Sequence, residues 1–111
     1  MAGAFGAHGL RELVTPQRLD VWNVATDYQM AHGLGLLLLS LTRPSLDSPK
    51  SGWLQWSLWA LLTGILIFSS SLYLLVWLDI AWLGAITPIG GSLLVVGWGL
   101  AAVSFWPRLQ R

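Results

Sequence analysis

The chain has 111 residues, 55% of them hydrophobic and only 10% charged, against about 25% charged in ordinary soluble domains. A water-soluble fold of this size would lack the polar surface to cover itself, so the composition excludes a soluble globule and points to one all-α membrane domain over residues 1–111. A net charge of +1 without a basic block excludes a nucleic-acid footprint, and the absence of cysteine excludes disulfides, thiolate metal sites and cysteine nucleophiles.

Residues 2–10, AGAFGAHGL, are small and rich in glycine, with Gly3, Gly6 and Gly9 three apart. This pattern predicts a close-packed helix end or a flexible terminus. An anion-cradling loop is the weaker reading, because no lysine or hydroxyl residue follows at phosphate-loop spacing. The segment has neither the basic start nor the long apolar stretch of a cleavable signal peptide, so insertion is expected to be directed by the spanning helices.

After the connector Arg11–Val14, Thr15-Pro16 is a helix start, with threonine as N-cap and proline in the first turn. The helix runs to about Thr42, where Arg43-Pro44 ends it. A first span is predicted at 22–42, with 15–21 as its wet beginning. A polar loop at Arg43–Ser51 leads to the stretch on which the chain is organised, Gly52–Leu78, which carries no charge. As a helix its span, 53–77, measures about 36 Å, enough to cross a hydrocarbon core of about 30 Å. Trp53 and Trp56 mark one end and Trp77 the other. Asp79–Ile86 reads as an interfacial connector anchored by Trp82, and Thr87-Pro88 repeats the helix-start signal. The third span, 88–106, is about 27 Å long as a helix.

Lysine and arginine placement sets an orientation. The 43–51 loop carries Arg43 and Lys50, and the tail carries Arg108 and Arg111, which places both in the cytoplasm. The segment before Val21 is then forced outside, against the sense of Arg11 and Arg18. Small residues suited to close helix packing recur in each span: Ala31 and Gly35, Ala60 and Gly64, Gly90 and Gly91, Gly97 and Ala101.

The first span is unusually polar: Asn23, Asp27, Tyr28, Gln29 and His32 fall within ten residues. Helical geometry puts His32 beside Tyr28 and Gln29, but about 140° around from Asp27, so Asp27 and His32 do not pair on one face. Each needs a partner from another element, and His8 is the candidate. Two readings follow for His8, Asp27, Tyr28, Gln29 and His32. One is a hydrogen-bonded cluster that fixes helix packing. The other is a small-molecule, proton or metal site used for binding or transport. No zinc-protease motif, nucleophile elbow or phosphate loop is present, and Ser69, Ser70 and Ser71 lie inside a span, where serines bond to helix carbonyls. The chain therefore reads as a non-enzyme without a cofactor or resident metal. The eight tryptophans read as interface anchors, since their spacing implies no aromatic cage.

Four stretches carry a resemblance: GAFGAHGL at 3–10; Thr15, Pro16, Trp22, Tyr28, Gln29 and His32; FSSSLY at 68–73; and ITPIGG at 86–91 followed by Gly97-Trp98. In this order and spacing the chain resembles the YgdD-like family of small bacterial inner-membrane proteins, which has eukaryotic relatives and no established biochemical function. The family's third motif resembles FSGSLY, so Ser70 stands here in place of a glycine. The resemblance implies four helices with both ends cytoplasmic, an apolar helix preceding GAFGAHGL, and a multi-pass inner-membrane location. This chain supplies three of the four, which suggests a longer native product and accounts for the orientation conflict. The expected partners are the lipid bilayer and either a second copy or another membrane protein.

Overall fold

The computed structural model describes residues 1–42 and 51–109, with side chains described for 1–42 and 52–106. Of the basic residues on which the expected orientation rests, Arg43, Lys50 and Arg111 lie outside the described residues and the Arg108 side chain lies outside the described side chains. The described residues form four α-helices: α1 (Ala2–His8), α2 (Pro16–Leu41), α3 (Ser51–Leu78) and α4 (Thr87–Leu109). Two short 3-10 segments, Leu10–Glu12 and Ala81–Ala85, take the places of the two expected connectors. Among the described residues there is no strand. Among the described residues two stretches are long and apolar enough to cross a membrane, Gly52–Leu78 and Ala81–Trp106. With Asp20, Asp27, Gln29 and His32 along it, α2 has the length but falls short in composition.

Helix α3 is the one against which both other long helices rest; α2 and α4 make no backbone approach to each other. The α3–α4 seam is held at backbone distance by glycine. A Cβ at Gly90 would lie 2.5 Å from the Phe68 nitrogen and 2.8 Å from the Gly64 carbonyl oxygen. One at Gly97 would lie 2.7 Å from Leu61 Cγ. Only hydrogen fits at either position, and lipid-embedded helices depend on such close contact because the surrounding chains are as apolar as the side chains. Leu61, Ile65 and Leu94 fill the seam, with Leu36, Leu39 and Phe68 around them.

Serines complete the helix contacts. The Ser57 hydroxyl donates to the Gly97 carbonyl at 2.7 Å, and Ser69 donates to the Ala25 carbonyl of α2 at 2.9 Å; both serines are buried. Ser71 lies 2.7 Å from the Thr87 hydroxyl. Thr87 is thus the first helical residue of α4 rather than a cap preceding it, and its hydroxyl is engaged across the seam. Ser70, at the position of the family's glycine, is exposed.

At the other end of the molecule, Leu10, Trp22, Leu75, Val76 and Leu83 form a second core. Thr15 caps α2 as expected, its Oγ1 accepting from the Arg18 N–H at 3.3 Å. The glycine-rich segment is helical, and Gly6 is buried beneath Trp22, whose indole N–H donates to the Ala2 carbonyl at 2.8 Å. Trp22 is 8% exposed. It serves as core rather than as the interface anchor expected of the tryptophans. Asp79 ends α3 with φ 54, in the left-handed region, and accepts from Arg18 Nη2 at 3.1 Å.

Candidate functional site

The polar run of α2 is distributed around the helix, and Gln29 and His32 meet different neighbours. Gln29 Oε1 accepts a hydrogen bond from the Tyr73 hydroxyl of α3. His32 reaches the other way, toward α4, where its Nε2 lies 3.1 Å from Trp98 Nε1. An indole N–H only donates, so Nε2 is the acceptor. Nδ1, 2.8 Å from the Tyr28 carbonyl oxygen, then carries the proton. These two bonds assign His32 the neutral Nδ1–H tautomer. Since the backbones of α2 and α4 stay apart, the Trp98 side chain bridges the gap, with its ring over Gly35, where a Cβ would lie 3.0 Å from the indole.

The five sequence candidates do not converge. His8 is exposed and shares no hydrogen bond or ring contact with Asp27 or His32. The cause is the direction of α1. Its first residues, Met1 to Gly3, line a groove with Asp27, Gln29 and Met30, while His8 is carried about 9 Å along the helix toward the wet end. Asp27 is exposed and, among the described residues, has no hydrogen-bond or ion-pair partner. Among the described residues no three histidine, aspartate or glutamate side chains gather around a common ion position. Of the small residues singled out, Gly35, Gly64, Gly90 and Gly97 lie against a neighbouring helix, Gly91 meets the Phe68 ring at ordinary contact distance, and Ala101 is buried. Ala60 is half-buried and Ala31 exposed.

What the α2 residues do build is an aromatic wall. Tyr28 stacks on Phe68 of α3 with ring centroids 4.5 Å apart and on His32 at 5.7 Å; His32 meets Trp98 at 5.9 Å. These four rings, from three helices, line one groove of about 510 Å³ between α2 and α4. Phe68 and Trp98 were not singled out as site residues in the sequence. They lie 36 and 66 positions from His32, and no local spacing links them to it.

The sequence that builds this bundle is similar to those of known proteins. Residues 2–91 match the family described as "Protein of unknown function (DUF423)". The chain belongs to this family. It is 47% identical over 96 residues to a UPF0382 membrane protein of Staphylococcus epidermidis, an overlap covering 86% of this chain and 75% of the relative. It is 49% identical over 96 residues to one of Staphylococcus saprophyticus, covering 86% and 77%. With one of Staphylococcus haemolyticus the identity is 43% over 102 residues, covering 92% and 80%. No solved structure matches the chain. The helices of the structure and the match to this family together make the chain an all-α membrane protein of a family without established activity.

Proposed function

We propose that this protein is a non-enzymatic accessory component of the bacterial inner membrane, crossing it three times, with its C-terminus in the cytoplasm. The observation that carries this reading is where the polar side chains go. Gln29, His32, Ser57, Ser69 and Ser71 each engage a neighbouring helix or their own backbone. Such groups fix a bundle and leave no nucleophile–base pair for chemistry. The orientation follows from the basic residues of the 43–51 loop and the tail.

In this reading α2 is the first span, and its outer face is what the protein offers to others. Met30, Leu34, Leu37, Leu38 and Leu41 are exposed along it, and Asp27 lies at its polar end without a hydrogen-bond or ion-pair partner among the described residues. A carboxylate within a span calls for a donor or water. A second copy or another membrane protein packed on this face would supply one. The test is photo-crosslinking in native membranes from a benzophenone side chain placed at Leu34. A discrete protein adduct, to a second copy or to one other membrane protein, is expected, and it should weaken in an Asp27→Asn background. Adducts to lipid alone would refute the accessory role.

A further inference from the structure

We propose that the groove between α2 and α4 is a binding site for a neutral, planar, lipophilic ring carrying a carbonyl-type acceptor, of the quinone class. Four observations define the ligand. Four of the groove's lining side chains are rings, Tyr28, His32, Phe68 and Trp98, drawn from three helices. Rings in this arrangement favour a flat partner that stacks. No aspartate, glutamate, lysine or arginine lines the groove, and both ring nitrogens of His32 are engaged, so an ionic headgroup finds no carboxylate, ammonium or guanidinium there. The Tyr28 hydroxyl has no hydrogen-bond partner among the described residues, whereas the Trp98 N–H and the His32 Nδ1–H are both engaged. The one free donor therefore calls for an acceptor oxygen on the ligand. Finally, the open side is flanked by Val95, 74% exposed on the outer face of α4, so entry is from the apolar surroundings.

The volume, about 510 Å³, lies within the range of about 300–1,000 Å³ typical of small-molecule sites, which are mostly apolar with a few placed polar groups. An acyl chain would fill the space but leave the phenol unanswered. A quinone ring lying against Phe68, with one carbonyl oxygen accepting from Tyr28, answers both. The proposal concerns binding only, and the groove is separate from the outer face of α2 proposed above for a protein partner.

The probe is menadione, a naphthoquinone without a tail, titrated into the full chain in lipid nanodiscs and followed by quenching of tryptophan fluorescence. The chain has no cysteine, so the quinone finds no thiol to arylate. Saturable quenching is expected. Tyr28→Phe should weaken the apparent affinity about three- to tenfold, the effect of one hydrogen bond. Val95→Phe, at an exposed position where folding is not at stake, should narrow the groove and remove the saturable component, with helical circular dichroism unchanged. Quenching that rises linearly with the menadione dissolved in lipid, equal in all three proteins, would overturn the site. Saturation that neither substitution alters would place the quinone elsewhere and overturn it equally.

Discussion

The two faces of α3 are joined to their neighbours by different means. On the α4 side the backbones approach closely where Gly64, Gly90 and Gly97 carry no side chain to keep the helices apart. On the α2 side, contact runs through the Ser69 and Tyr73 hydroxyls and through ring stacking on Phe68. Between α2 and α4, among the described residues, contact runs through side chains, with Trp98 reaching His32 and lying over Gly35. Backbone contact leaves no room for a guest. Side-chain contact leaves a groove, and the rings of this molecule gather at that groove. In a lipid environment the tight seam supplies cohesion and the loose one supplies whatever adaptability the bundle has.

Substitution at glycine should break the comparison most forcefully. Gly90→Leu puts side-chain atoms where the Phe68 backbone lies, and it should cost about 3 kcal/mol or more, or separate α3 from α4. Gly99→Leu is the matched control on the same helix: a Cβ there meets nothing within 4 Å, and a change within about 0.5 kcal/mol is expected. Unfolding in mixed micelles of rising dodecyl sulfate content, followed by circular dichroism, compares the two directly. Equal losses would mean that the seam is not held by backbone proximity.

A smaller effect sharpens the loose side. In a double-mutant cycle of His32→Ala and Trp98→Phe, the coupling should be about 0.6 kcal/mol, with about 1.7 kcal/mol as a ceiling for hydrogen bonds between membrane helices. Zero coupling would show the bridge to be adventitious. The smallest effect is at the wet end. Arg18→Ala removes the ion pair to Asp79, a residue 80% exposed, and should cost less than about 1 kcal/mol, a difference that shrinks further as salt is added.

Several of these features were legible in the sequence because local chemistry determines them. Thr15-Pro16 starts α2 because the threonine oxygen meets an otherwise unpaired N–H three residues on, and that geometry is written in adjacent positions. The uncharged run Gly52–Leu78 became the central helix for the same kind of reason. The site was far less legible. His32 was flagged for its polarity, but its partner Trp98 is 66 residues away, and the tryptophan-rich composition pointed to interface anchors instead. Likewise His8 lies near Asp27 in any linear sketch of the chain. The direction of α1, fixed by the packing of Gly6 under Trp22, separates them. Helix existence follows from nearest neighbours; helix rotation and tilt follow from contacts that only the assembled molecule contains.

The central position of α3 also sets an order of assembly. Synthesis delivers α2 before α3 and α4 exist, yet both hydroxyls that secure α2, those of Ser69 and Tyr73, belong to α3. The α3–α4 pair, by contrast, is joined by only the eight residues from Asp79 to Ile86 and closes on itself through short-range contacts. Of the three long helices described, the first to be synthesised is therefore the last to be locked in place.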